Sequence, residues 1–227
     1  MASRTNQADL SLGSELRYIV VEGPIGVGKT TLATRLAESF SSDLLLEHAE
    51  ENPFLERFYR NRRNAALPTQ LFFLFQRARQ IEAIRQSDLF SPVRVADFMI
   101  EKDRLFAELN LDANELNLYE QVYASLELNP PVPDLVIYLQ APPPVLRRRI
   151  AIRGISYEQG LDENYLERLG NAYAKFFYEF EAAPLLIVNA ANIDPVNREA
   201  DYQELLRAIC RVKRGRHFFN PVLETTA

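Results

Sequence analysis

The residues best equipped for chemistry lie together in Gly23-Pro24-Ile25-Gly26-Val27-Gly28-Lys29-Thr30-Thr31, which matches G-x-x-x-x-G-K-[ST] at every specified position. Glycines let the backbone turn its N–H groups inward, where a side chain would crowd a phosphate. A helix starting near Lys29 adds unpaired N–H groups and the positive end of its dipole. Lys29 is suited to the β- and γ-phosphates, and the Thr30 hydroxyl to Mg²⁺. The apolar run Tyr18-Ile19-Val20-Val21 before the loop and the amphipathic run Thr30 to Phe40 after it supply the strand and helix this motif requires. The expectation is a site for ATP or GTP with Mg²⁺.

A phosphate donor needs an acceptor, and candidate acceptor groups follow. Leu44-Leu45-Leu46 reads as a short strand with Glu47 at its C-terminal end, where ligands collect in open α/β sheets. A carboxylate there can take the proton of an alcohol attacking a γ-phosphate in line, and Glu50 and Glu51 compete for the role. Gln70 can donate and accept at once, as a nucleobase edge requires; alternatively Gln70 and Arg77 lie on a solvated helix face. Asp97 falls near the end of a third apolar run, 93–100. Arg149 and Arg153, four apart on a helix, share a face and offer forked donors to phosphate.

These residues need elements to hold them. Helical patterns run over 52–86, broken at Ala65-Ala66-Leu67-Pro68, then over 102–109, 115–127, 142–153, 163–181 and 202–212. Strands are expected at 17–22, 44–46, 93–100, 135–140 and 185–189. The alternation predicts an α/β fold: a five-stranded parallel sheet with helices on both faces. One domain over 15–212 is expected, with a loosely held leader at 1–14 and an irregular tail at 213–227.

Composition narrows the partners. A net charge of −5 argues against a nucleic-acid polymer. The single cysteine, Cys210, rules out an intramolecular disulfide and fits a reducing compartment. With no apolar stretch of membrane-spanning length and no secretory pattern at the start, a cytoplasmic protein is expected.

In this order the landmarks resemble the deoxynucleoside kinase family over most of the chain, from Tyr18 to Asn189. They are Leu-Leu-Leu-Glu at the second strand, Tyr59 with Gln70 eleven residues later and Arg77 seven beyond, the acid ending strand three, and R-R-R-I-A-I-R-G-x-x-x-E-Q-G with Y-L-E-R-L downstream. The resemblance implies a P-loop kinase fold with a small arginine-rich lid, and ATP-dependent 5′-phosphorylation of a deoxynucleoside in nucleotide salvage. Glu47 would be the general base, and Lys29, Arg149 and Arg153 would neutralise phosphate. Tyr59, Gln70, Arg77, Asp103 and Glu158 would form the nucleoside pocket, and Asp97 would help hold Mg²⁺ beside Thr30. The Arg77/Asp103 pair resembles that of family members accepting purines and deoxycytidine, resemblance to bacterial purine kinases favours deoxyadenosine or deoxyguanosine, and relatives imply a homodimer through helices. Two positions depart from the pattern: Phe98 and Met99 stand where relatives carry arginine and serine, and Ile155 replaces a lid arginine. Lys102, Arg104, Arg57 and Arg63 are the candidates for the missing charge. The rival expectations are a nucleoside-monophosphate or other small-molecule kinase on this fold, and a non-catalytic nucleotide-binding module; the N-K-x-D pattern of a GTPase switch is absent.

Overall fold

The computed structural model describes residues 16–86 and 93–221. In chain order β1 (Tyr18–Glu22) passes through the glycine loop into α1 (Lys29–Phe40), and β2 (Asp43–Leu45) is followed by a 3₁₀ turn at Ala49–Glu51. Then come α2 (Leu55–Arg60), α3 (Arg62–Gln86), β3 (Arg94–Ala96), α4 (Lys102–Asn110), α5 (Ala113–Ser125) and β4 (Leu135–Gln140). The second half holds α6 (Pro143–Arg153), a 3₁₀ turn at Ser156–Glu158, α7 (Glu163–Glu179), β5 (Leu185–Asn189), α8 (Glu199–Arg211) and β6 (Arg216–Phe219).

The strands form one sheet in the order β2-β3-β1-β4-β5-β6, with every pairing parallel. The chain crosses from one side of β1 to the other after β3. The carboxyl end of β1 is therefore a topological switch point, where ligands bind in such sheets. Strands covered on both faces read as unbroken apolar runs: Ile19-Val20-Val21 and Leu135-Val136-Ile137 are fully buried. Helix α7 presents Tyr165, Leu166, Leu169, Tyr173 and Phe177 to this core, and α8 presents Tyr202, Leu205, Leu206 and Ile209.

The sheet has six strands where five were expected. Residues 216–219, assigned to the irregular tail, add β6 in parallel to β5. Four residues with exposed arginine, histidine and phenylalanine side chains carry no alternating pattern that periodicity could find. A second difference lies in α3, which continues through Pro68, while the helical break falls at Asn61. Ala65 and Ala66 are fully buried against Leu55 and Phe58 of α2, and that packing outweighs the hydrogen bond the proline removes. The leader expected over 1–14 lies outside the described residues, as does the end of the tail, 222–227. Among the described residues no helix is long and apolar enough to cross a membrane.

Candidate active site

The donor half is built on the turn between β1 and α1. Gly23 takes φ 148° and Gly28 caps α1 at φ 104°, conformations that L side chains rarely adopt. Lys29 Nζ donates to the carbonyls of Gly23 (2.8 Å) and Pro24 (3.3 Å). Burial, then the nearby Lys102 charge, hold the Lys29 ammonium below its ordinary pKa. Beside the loop runs a cleft of about 730 Å³ between α6 and the 190–198 segment, bordered by Arg148, Arg149, Ile152 and Arg153. Arg149 donates to Val27 O (3.0 Å) and Ala190 O (2.7 Å), so it ties the loop to the far wall of this cleft.

Gly23 also bears the tightest steric demand. A Cβ built there would lie 2.4 Å from Leu139 O in β4, a backbone atom that cannot rotate away. We expect Gly23→Ala to lose about 1–3 kcal/mol through backbone strain alone and to weaken ATP binding. Thermal melting and ATP titration calorimetry check this; wild-type values in both would show that the loop has room.

The acceptor half is a cavity of about 280 Å³ that reaches from Lys29 and Thr30, past Glu47, to Gln70, Arg77 and Asp103. The residues expected for it from sequence converge here: Tyr59, Gln70, Arg77, Asp103 and Glu158 all line it. Gln70 is buried from α3 and not solvated. The Arg77 guanidinium, 2% exposed, pairs with both Glu47 and Asp103. Asp103 Oδ2 and Arg77 Nε have no hydrogen-bond partner among the described residues, so polar capacity remains for a ligand with donors and acceptors. Tyr59 stacks on Tyr157 of the lid turn (5.5 Å between centroids, 18° between planes), and burial holds its hydroxyl well above the ordinary pKa.

Glu47 stands two residues beyond β2. Burial pushes its carboxyl pKa up, but Lys102, Arg77 and Lys29 outweigh that and bring it down to about 2. Glu50 and Glu51 are exposed instead, Glu50 beside His48 and Glu51 accepting from Gln76. Asp97, directly after β3, joins the two halves: it accepts from the Thr30 hydroxyl and from the Glu47 backbone N–H (2.9 Å). Thr30 Oγ1 and the Asp97 carboxylate are hard oxygen donors in contact, a pair that fits Mg²⁺ carried in with phosphates. Over the cavity Arg153 pairs with Glu158, which is buried. The two arginines of α6 thus part, Arg149 bordering only the cleft beside the loop while Arg153 borders both.

The departures from the pattern also find places. Phe98 is buried in the core and away from the cavity, whereas Ile155 lines it. Of the four cations offered for the missing charge, Lys102 is the one beside Glu47, at 2.9 Å. Arg104 pairs on the surface with Glu108 and Glu120, and Arg57 and Arg63 are exposed. Sequence reasoning missed Glu22, which is 0% exposed at the end of β1. Its signal was a charge closing an apolar strand, legible only as a group that must find partners.

Known proteins match this chain in sequence and in fold. Residues 19–212 match the family model described as Deoxynucleoside kinase. The chain is 35% identical over 196 residues to the deoxyguanosine kinase of Bacillus subtilis (strain 168), covering 83% of this chain and 93% of that one. It is 28% identical over 202 residues to the deoxyadenosine/deoxycytidine kinase of the same organism, covering 86% and 92%. A solved deoxyadenosine kinase from M. mycoides, with the products dCMP and a flexible dCDP bound, superimposes with TM-score 0.73 at 25% identity over 85% of this chain and 98% of that one. The match runs along nearly the whole fold, and the chain belongs to the deoxynucleoside kinase family.

Proposed function

We propose that this protein transfers the γ-phosphoryl group of ATP to the 5′-hydroxyl of a purine deoxynucleoside, giving the 5′-monophosphate and ADP. One observation carries the reading: a single cavity has Lys29 and Thr30 at one end, Glu47 on its wall, and Gln70, Arg77 and Asp103 at the other. Gln70 and the Arg77/Asp103 pair would read the base, while Tyr59 and Glu158 would hold the sugar 3′-hydroxyl. Glu47 would accept the 5′-proton as the oxygen attacks phosphorus and the bond to ADP breaks, while Lys29 and Arg153 meet the charge on the transferring group. Arg149 would hold the donor cleft in shape. Thr30 and Asp97 would hold Mg²⁺, which supplies charge neutralisation to the β- and γ-phosphates when bound. Closure of the turn bearing Tyr157 over the cavity would keep water from replacing the alcohol.

Support for purines comes from the pair at the base end and from the named relatives, several of which are deoxyguanosine or deoxyadenosine kinases. We also propose a homodimer through α3 and α5, whose outer surfaces carry the exposed Phe75 and Leu118. The half-buried Cys210 thiol, pushed up in pKa by burial, suits a reducing cytoplasm.

The test is ADP release with Mg-ATP across a panel of nucleosides, nucleoside monophosphates and no acceptor. Deoxyguanosine or deoxyadenosine should stimulate release most, and chelating Mg²⁺ should abolish it. No stimulation by any deoxynucleoside, or stimulation by monophosphates alone, would sink the proposal.

A further inference from the structure

Lys102 opens α4 with its side chain only 3% exposed. Its ammonium lies 2.9 Å from Glu47 Oε2 and 3.3 Å from Glu22 Oε1. Burying a lysine is costly unless its charge is met, so what it meets is informative. Glu22 already accepts from Gly23 N (3.0 Å), Tyr173 OH (3.1 Å) and Met99 N (3.0 Å). These neutral donors satisfy it without the lysine, and the shorter of the two lysine contacts goes to Glu47.

Glu47 has a different need. Arg77 holds its Oε1 but is shared with Asp103. Without Lys102 no other side chain among the described residues holds Oε2, and the carboxylate could turn about its last torsion. With one cation on each oxygen the plane of the carboxylate is set, and its remaining lone pairs are directed by the protein. Glu22 is fully buried, paired with Tyr138 of β4, and directly precedes the phosphate loop, so the same anchor holds the start of the loop and the lysine.

We infer that Lys102, braced by Glu22, is a positioning residue that orients the Glu47 carboxylate toward the attacking hydroxyl. The inference rests on the reading of Glu47 as the base. It adds a two-step support, Glu22 to Lys102 to Glu47, that reaches from β1 across the switch point to the end of β2. Titratable groups from every neighbouring element surround this support: Lys29 from α1, Arg77 from α3, Asp97 after β3, Asp103 from α4 and the neutral Tyr173 hydroxyl from α7. Four carboxylates thus meet three cations: Lys102 lies between Glu22 and Glu47, and Arg77 between Glu47 and Asp103.

The experiment is steady-state kinetics of the full chain with Mg-ATP and deoxyguanosine. Lys102→Ala should lower kcat about 10²-fold and leave both KM values within about threefold, the split expected when an interaction acts in the transition state. Ethylammonium should restore kcat saturably by at least about tenfold, while 1-propanol, of similar size and uncharged, should not. A purely structural lysine gives no such amine dependence. Unchanged kcat, or a loss equally indifferent to both additives in a protein that melts and binds ADP normally, overturns the inference. Should Lys102→Ala not fold, the pair Glu22→Gln with Lys102→Met removes both members of a buried ion pair together. It should show the same loss of kcat with ADP binding intact, and wild-type kcat overturns the inference. Glu47→Gln separates the two levels. If that variant is inactive while the Lys102 variants are fully active, only the support role falls; if it is fully active, the base assignment falls and the support role with it.

Discussion

Glu47→Gln lowers kcat by about 10²–10⁴-fold, the range set by removal of a positioned proton acceptor. ATP affinity stays nearly unchanged, because the donor cleft is bordered by α6 and the 190–198 segment and does not include Glu47. The substitution preserves shape and replaces a carboxylate oxygen by an amide that cannot take a proton. In the ligand-free protein the Glu47 pKa is held near 2, so the group is ionised throughout the neutral range and adds no acidic limb to the free-enzyme rate there. So low a value makes it a weak base, which is sufficient where the transition state is loose and the hydroxyl proton leaves late. The sign for stability follows: a depressed carboxylate contributes above its unfolded value of 4.5, and that contribution is lost as pH falls toward about 2. Single-turnover ADP formation and ATP titration calorimetry decide the matter. Full activity in Glu47→Gln would move the base elsewhere.

The second large effect is on stability. In Arg77→Met, Glu47 keeps Lys102, but Asp103 loses the only cation paired with it among the described residues while remaining 1% exposed. Stranding a buried charge costs about 3–5 kcal/mol. At about 2–4 °C per kcal/mol for a chain of this size, the melting temperature should drop by roughly 6–20 °C. Asp103→Asn in the same chain should recover part of that loss, since a neutral amide has less to lose from water. Use of purine deoxynucleosides should fall in both variants. A melt of Arg77→Met within two or so degrees of wild type would show that water or a rearranged side chain meets Asp103, and that Arg77 serves only the ligand.

Legibility from sequence followed the range of the interactions. The phosphate loop is local, nine successive residues between a strand and a helix, and the structure places it as the pattern requires. The acceptor residues Tyr59, Gln70 and Arg77 sit on two adjacent helices, and their spacing brought them to one cavity. What stayed hidden depended on distant partners. Lys102 was one of four equivalent cations until the fold set it beside Glu47, fifty-five residues away. Glu22 read as the last residue of a strand because its partners come from α7, from α4 and from the turn after β3. Strand β6 lacked any periodicity of its own, and its pairing with β5 supplies the order. Pro68 signalled a break that the alanine packing between α2 and α3 overrode.

Asp97 has one more consequence. It grips the phosphate loop through Thr30 and the backbone of Glu47 after β2, and the strands that end at these two points are separated by β3 alone. Neighbouring strands lie about 4.8 Å apart, so the gap from the loop to Glu47 is gauged by the sheet at roughly two strand widths. Sheet spacing is a property of backbone hydrogen bonding and is indifferent to side-chain identity. On the reading of Glu47 as the proton acceptor, the cavity wall at Tyr59 and Gln70 can therefore be remodelled to admit a different nucleobase without retuning that reach, so long as Arg77 keeps its hold on Glu47.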